Sequence, residues 1–281
     1  MSIAITGATG QLGRLVIQQL LRKLPAGDLL ALARTPAAAA DLGVAARPAD
    51  YSRPETLPPA LAGVDILLLI SSNEVGQRIA QHRNVVDAAR RAGVKRIVYT
   101  SLLHADTSPL SLAPEHLDTE EAIKASGLAY TVLRNGWYVE NHTAAIPTAL
   151  SAGVLLGSAG EGKFSATARA DYALAAAAVL TGTGHENKIY ELAADQPYTH
   201  AQFAAEVSRQ AGKPLVYKDV PEAEYAAALA GGGLPAAIAQ AIASWDAGAA
   251  RGVLFDDSRQ LSRLIGRPTT PLSEAIAQAL A

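Results

Sequence analysis

The chain has 281 residues, enough for one large domain or for a large and a small one, and 49% of them are apolar, which excludes a disordered protein. Its 24 basic and 26 acidic residues give a net charge of −2 without a basic run, so no nucleic-acid partner is expected. Because cysteine is absent, disulfides, thiolate nucleophiles and cysteine-held metal centres are excluded.

The N-terminus reads Met-Ser-Ile-Ala-Ile-Thr-Gly, which has neither the basic nor the apolar region of a signal peptide. The longest apolar runs, residues 66–70 and 173–180, are much shorter than the roughly 18 residues of a membrane-spanning helix. We therefore expect a soluble, cytoplasmic protein with no membrane partner.

Short β-rich runs alternate with longer helical patterns from residue 2 to about residue 136. The strand candidates are apolar throughout, as in parallel strands covered on both faces; they are residues 3–6, 29–33, 66–71, 97–101 and 130–133. The helix candidates have apolar residues spaced by about 3.6; they are residues 12–23, 77–92 and 114–126. Gly93 and Gly127 are placed to end the last two helices. The alternation predicts an α/β fold with a doubly wound parallel sheet.

Beyond residue 140 alanine becomes frequent and the pattern is mostly helical. Thr199 is predicted as the N-cap of one helix and Gly212 as its end, and Pro221 is predicted in the first turn of another. We therefore expect two domains. Residues 1–140 form the larger one, and residues 141–281 form a smaller region that partly contributes to the sheet.

The turn GATGQLG, residues 7–13, places three glycines in a G-x-x-G-x-x-G spacing between a strand and a helix. Gly7 permits a tight reversal, Gly10 leaves room for a pyrophosphate near the backbone, and Gly13 lets the helix pack closely on the strand. The N–H groups and dipole of a helix N-terminus favour such an anion. The pattern predicts dinucleotide binding, and the alternative is a purely structural glycine turn.

The residues after the second and third strand candidates indicate which dinucleotide binds. NAD-binding proteins usually end the second strand with a carboxylate that binds the ribose 2′-hydroxyl, whereas this chain has Arg34 and no acid there. A guanidinium pairs well with a 2′-phosphate, so NADPH is predicted; the alternative is a solvated arginine. Ser71, Ser72 and Asn73 follow the third strand, where ligands of open α/β sheets bind, unless they are simply polar loop residues.

Four stretches, GATGQLG, LLLISSNEVGQR, QHRNVVDAARRAGVKRIVYTSLLHADTSPL and YTVLRNGWYVEN, resemble the NmrA-like atypical short-chain dehydrogenases. Within that family the chain is similar to the bacterial NAD(P)H:quinone oxidoreductases of type 2. The resemblance continues through GEGKFSATARADYA, KIYELA and LFDDSRQLSRLIGRPTTPL, so it covers nearly the whole chain.

The resemblance implies a Rossmann domain, a small C-terminal α/β domain and flavin-free reduction of a small-molecule quinone by NADPH. It implies that Arg34 binds the 2′-phosphate, that Ser71, Ser72 and Asn73 lie along the ribose, and that Lys163 forms a wall of the same cleft. The residues implied at the pyrophosphate are Gly7, Ala8, Thr9, Gly10, Gln11 and Leu12. Those implied near the nicotinamide are Asn135, Gly136, Trp137, Tyr138, Val139 and Glu140.

The chain departs from the wider superfamily because it lacks the Tyr-x-x-x-Lys pair whose tyrosine acts as a general acid. His116 and Glu120 occupy the corresponding helix without a tyrosine, and because they lie one helical turn apart they are expected to pair on its surface. A quinone tolerates this loss, because its reduced ring is aromatic and the protein need mainly hold donor and acceptor together. Asn135, Tyr138 and Lys163 are therefore candidates for positioning the substrate, and no essential general acid is assigned.

Several alternatives remain open. The missing acid also suits a non-catalytic NADP(H) redox sensor that binds a protein partner, whereas it disfavours an epimerase or ketoreductase.

His104 is either a proton donor at the cleft edge or a loop histidine bonded to the backbone. The six histidines show no metal-ligand spacing, so no metal site is expected. The oligomeric state is left open.

Overall fold

The computed structural model describes residues 1–281 and divides the chain into two compact units. The first, here called the sheet unit, comprises residues 1–106, 112–135 and 169–192. The second, here called the helical unit, comprises residues 107–111, 136–168 and 193–281. Each unit is therefore assembled from segments that are distant in sequence.

Nine strands and twelve α-helices make up the regular structure, together with short 3₁₀ turns. The strands are β1 Ile3–Ile5, β2 Leu29–Ala33, β3 Ala45–Pro48, β4 Ile66–Leu69, β5 Arg96–Leu102, β6 Ala129–Asn135, β7 Val154–Gly157, β8 Lys188–Leu192 and β9 Val216–Asp219. The helices are α1 Gln11–Leu21, α2 Leu57–Leu61, α3 Arg78–Arg91, α4 Ala113–Ala125, α5 Glu140–Thr143, α6 Ile146–Ala152, α7 Arg169–Thr181, α8 His200–Ala211, α9 Glu222–Gly231, α10 Ala236–Ala249, α11 Gln260–Ile265 and α12 Leu272–Leu280.

The sheet unit contains a seven-stranded sheet in the order β3-β2-β1-β4-β5-β6-β8, and every neighbouring pair is parallel. The central strands are buried on both faces, which explains their unbroken apolar sequences. Alternate strand residues such as Leu67, Ile97 and Val132 pack with α3 and α4. Helices α1 and α7 pack against each other in the same unit. The predicted doubly wound α/β sheet is therefore confirmed.

The five strand candidates correspond to β1, β2, β4, β5 and β6 with ends that differ by at most two residues. Strands β3 and β8, at the two sheet edges, were not predicted. Their residues are mostly exposed or half-buried and lack the continuous apolar run of a central strand. Gly93 and Gly127 end α3 and α4 as predicted, both with positive φ.

The helical unit contains α5, α6, α8 to α12 and a two-stranded parallel sheet of β7 and β9. Thr199 caps α8 through a reciprocal capping box with Gln202, and Gly212 ends the helix in the left-handed region, as predicted. Pro221 is the N-cap residue of α9 and not a residue of its first turn. None of the twelve helices combines the length and apolarity needed to cross a lipid bilayer.

Candidate functional site

The turn after β1 lies where the strand order reverses, because β1 pairs with β2 on one side and with β4 on the other. Gly7 has a φ of +57°, which favours glycine. A Cβ atom at Gly13 would lie 2.3 Å from the Gly7 carbonyl oxygen, so α1 begins in direct contact with the turn. The glycine spacing therefore has the steric basis that the sequence indicated, at the position where open α/β sheets bind ligands.

The N-terminus of α1 presents backbone N–H groups that no side chain caps. Gly10 is the N-cap residue, and the first turn contains no acidic residue. The first intrahelical hydrogen bond is donated by Arg14 N–H to the Gly10 carbonyl at 3.0 Å, so the amides of Gln11 and Leu12 precede it. The Arg14 side chain also donates to the Thr9 carbonyl at 3.1 Å and fixes the turn. This backbone arrangement fits a pyrophosphate.

A hydroxyl group ties this turn to the loop after β4. The Thr6 side chain donates to the Leu68 carbonyl at 3.0 Å and accepts from the Ile70 N–H at 2.9 Å. The next amide, that of Ser71, donates to Thr100 Oγ1 on β5 at 2.9 Å. The structure therefore brings Gly7 and Ser71 to the same edge of the sheet, as the sequence predicted.

The peptide groups of Ser72 are held by side chains of α3. The Ser72 N–H donates to His82 Nε2 at 3.0 Å, and Arg78 Nε donates to the Ser72 carbonyl at 2.7 Å. Burial, with the Arg78 charge adding to it, lowers the pKa of His82 to about 3, so the imidazole is neutral at pH 7. Because Nε2 accepts a hydrogen bond, Nδ1 carries the proton and donates to Thr119 Oγ1 at 2.9 Å.

Arg34 follows β2 as predicted, but its guanidinium is paired with Glu74 at 3.0 Å, which the sequence did not indicate. The two side chains are 67% and 42% exposed, respectively. An ion pair with this much exposure contributes only about 0–1 kcal/mol to stability. A phosphate group can therefore compete with Glu74 for the guanidinium. The assignment of Arg34 to a 2′-phosphate stays a prediction.

Asn135 is the last residue of β6, and its register partner is Leu102 at the end of β5. Its carbonyl accepts from the Leu103 N–H at 3.0 Å. Asn135 is buried and lies in the sheet unit, so the structure places it at the same edge as the glycine turn.

The other residues implied near the nicotinamide, Gly136 to Glu140, belong to the helical unit. Val139 N–H donates to the Thr167 carbonyl at 2.9 Å, and Trp137 accepts from the Thr167 N–H at 3.3 Å, so the segment has a fixed backbone. Tyr138 is half-buried and forms a bridge with Thr167. Lys163 is exposed and follows Gly162, where a Cβ atom would lie 2.4 Å from the backbone of Ala249.

His116 and Glu120 occupy the helix positions where the superfamily has its Tyr-x-x-x-Lys pair. The expectation that they pair with each other on the helix surface is wrong, because both are buried and bonded to other residues. His116 Nδ1 lies 2.8 Å from the Tyr99 hydroxyl, and its Nε2 lies 3.3 Å from Arg78 Nη1. Burial, with the charge of Arg78 adding to it, lowers the pKa of His116 to about 3. Neither residue takes the place of the tyrosine acid.

Glu120 belongs to a cluster of charges that the sequence analysis missed. Arg134 of β6 donates to both oxygens of Glu120, at 2.9 and 2.8 Å, and to Glu191 of β8 at 2.8 Å. Asp106 lies 2.8 Å from the same guanidinium. Burial alone would lower the pKa of Arg134, but the bonds to Glu120 and Glu191 raise it overall. A charged residue inside the apolar stretch YTVLRN was the signal available in the sequence.

A parallel sheet with a glycine-rich turn and an uncapped helix at its switch point defines a dinucleotide-binding protein of the Rossmann type. The chain belongs to the NAD(P)H-binding family, whose model matches residues 7–183. The resemblance to NmrA-like proteins is also confirmed. An NmrA-like family domain-containing oxidoreductase from Aspergillus flavus is 32% identical over all of this chain and 95% of that protein.

Two further comparisons cover almost the full length. Quinone oxidoreductase 2 of Escherichia coli is 55% identical over 278 residues, which are 98% of this chain and 97% of that protein. A crystal structure of the NADPH-dependent quinone oxidoreductase of Escherichia coli complexed with NADPH has a TM-score of 0.97 and 54% identity. It covers 99% of this chain and 100% of that chain.

Proposed function

We propose that this protein is an NADPH-dependent quinone reductase that transfers a hydride directly from the coenzyme to a small quinone, without flavin. The observation that carries the proposal is the uncapped N-terminus of α1 at the β1/β4 switch point, with Arg34 after the adjoining strand β2. The 55% identity to a quinone oxidoreductase over 98% of the chain supports the same acceptor class.

In this proposal the residues of the sheet unit bind and orient the coenzyme. The amides of Gln11 and Leu12 bind the pyrophosphate, and Arg34 exchanges Glu74 for the 2′-phosphate. The loop at Ser71 to Asn73, held through Thr100 and His82, lies along a ribose. When bound, NADPH supplies a hydride ion, which carries both electrons of the reduction.

Both the missing Tyr-x-x-x-Lys pair and the identity to a quinone oxidoreductase support a quinone as the acceptor. The two positions of the missing Tyr-x-x-x-Lys pair hold a neutral His116 and a Glu120 bonded to Arg134, so an unactivated ketone would find no tyrosine acid there. A quinone becomes aromatic on reduction and depends mainly on being held close to the donor. Asn135, Tyr138 and Lys163 are proposed to position it. The cytoplasm is the proposed compartment, since NADPH is a water-soluble coenzyme.

The test is oxidation of NADPH by purified, flavin-free protein with 1,4-benzoquinone, followed by the coenzyme absorbance. We expect turnover of at least about 1 s⁻¹, the lower range of ordinary enzymes, and a clear preference for NADPH over NADH. Gly13→Ala places a methyl group 2.3 Å from the Gly7 carbonyl and should abolish turnover. Gly27→Ala is the matched control: its methyl group would have no atom within 4 Å, so turnover should be unchanged.

Turnover no faster than the uncatalysed background would contradict the proposal. If NADPH and NADP⁺ were then both bound tightly, the protein would be a redox sensor, and its protein partner could be sought by affinity capture with each coenzyme form. Turnover that required added flavin would contradict direct hydride transfer alone.

A further inference from the structure

His104 lies at the sheet edge where the coenzyme is proposed to bind. It follows β5 by two residues, and β5 ends at Leu102, the register partner of Asn135. The intervening Leu103 donates its N–H to the Asn135 carbonyl at 3.0 Å. His104 is therefore next to the residue implied at the nicotinamide, within the sheet unit.

The backbone of His104 is held in an unfavourable conformation. Its φ is +53°, and only Asn187 and Arg259 share a positive φ among the residues other than glycine. The left-handed region is unfavourable for an L-residue, and residues held in it cluster at functional sites. The conformation is fixed by the His104 N–H, which donates to Glu191 Oε2 at 2.9 Å.

The charged groups that face His104 are mostly acidic. The imidazole Nδ1 lies 3.7 Å from Glu191 Oε2, and the side chain is 33% exposed. Asp106 of the same loop and Arg134 of β6 are the other charged groups of this surface. Around Arg134, the three carboxylates of Asp106, Glu120 and Glu191 outnumber the cations, which are Arg134 itself and Lys124 at 3.8 Å from Glu120. The cluster beside His104 therefore carries a net negative charge.

The other histidines of the sheet unit and the Ser101 hydroxyl are less suited than His104 to give up a proton at this edge. His82 and His116 are buried, and burial lowers the pKa of each to about 3, so neither is an imidazolium near pH 7. The Ser101 hydroxyl donates to Glu120 Oε1 at 2.6 Å and is buried. His185 precedes β8 and so lies at the opposite end of the strands.

We propose, on the basis of the proposed function, that His104 is the general acid that protonates the oxygen of the reduced quinone. Reduction to the hydroquinone requires two electrons and two protons, and the hydride supplies both electrons with one of the protons. The second proton is the Nε2 proton of the imidazolium. The N–H bond breaks with its electron pair staying on the ring, an O–H bond forms on the acceptor oxygen, and solvent reprotonates the neutral imidazole.

The experiment compares wild type with His104→Asn, because asparagine tolerates a positive φ and does not titrate. His185→Asn is the matched control, since His185 is partly exposed and remote from this edge. Single-turnover rates with NADPH and 1,4-benzoquinone are measured in H₂O and D₂O from about pH 5.5 to about pH 8.5, the range in which imidazoles titrate. The Kd of NADPH is measured by fluorescence without acceptor.

We expect the wild-type rate to fall as the pH rises, as a step that requires a general acid does, and to show a solvent isotope effect. His104→Asn should be at least about 10-fold slower at low pH, independent of pH and unchanged in its Kd for NADPH. Wild-type rates and pH dependence in His104→Asn would overturn the inference, as would a loss of rate matched by an equal loss of NADPH affinity. Inactive wild-type protein would overturn the proposed function together with it.

Discussion

At the scale of a single residue, Arg34 is the side chain proposed to set the coenzyme preference. Its position after β2 was predictable from the sequence, because a carboxylate there would select NAD and the chain has none. Its pairing with Glu74, 40 positions along the chain, was not predictable, since only the parallel alignment of the strands brings the loops after β2 and β4 together. The pair holds the guanidinium at the sheet edge, where the proposal has a phosphate replace the carboxylate.

Arg34→Ala should raise the KM for NADPH about 10- to 100-fold, because a charge-assisted hydrogen bond to the 2′-phosphate contributes about 1.5–3 kcal/mol. The KM for NADH should change less than about 3-fold, since NADH lacks that phosphate. Steady-state kinetics with both coenzymes measures the difference.

The matched control is Arg53→Ala, because Arg53 forms a comparable exposed pair with Glu55. It should alter neither KM. Equal losses for NADPH and NADH in Arg34→Ala would show that Arg34 does not bind the 2′-phosphate.

The helices α3 and α4 show what sequence patterns indicate about an element and what they leave out. The spacing of apolar residues gave both helices to within a residue or two, and the following glycines gave their ends. The same spacing suggested that His116 and Glu120 pair on a surface, but both are buried and bonded elsewhere. Polar networks of this kind depend on neighbouring strands, so periodicity along one helix cannot identify them.

The buried imidazoles of these helices predict a loss of stability in acid. The folded-state pKa of His82 and of His116 is about 3, below the ordinary value of 6.5. The unfolded chain therefore binds more protons below about pH 6.5, and the free energy of unfolding falls as the pH is lowered. At pH 5 each of the two histidines should lower the free energy of unfolding by about 2 kcal/mol relative to its value at pH 7.5.

Urea unfolding at about pH 7.5, pH 6.5 and pH 5 measures this loss. A folded His116→Gln variant should lose less stability over that interval than wild type, because one titrating group has been removed. Stability that stayed constant or rose toward pH 5 would contradict the burial of neutral imidazoles.

At the scale of the whole molecule, segments that are far apart in the sequence belong to the same unit. Residues 169–192 contribute α7 and the edge strand β8 to the sheet unit, after a segment that belongs to the helical unit. The central strands and the glycine turn are local features, so the sequence predicted them. Arg134 on β6 is bonded to Glu120 on α4, to Glu191 on β8 and to Asp106 in the loop after β5. These partners are distant in sequence, so only the fold shows that they form one cluster.

A crystal structure of the protein with NADPH bound tests the central claim most directly. The account predicts pyrophosphate oxygens at about 3 Å from the amides of Gln11 and Leu12, and a 2′-phosphate bonded to the Arg34 guanidinium. A pyrophosphate located away from the turn at residues 7–13, or a 2′-phosphate without contact to Arg34, would contradict it.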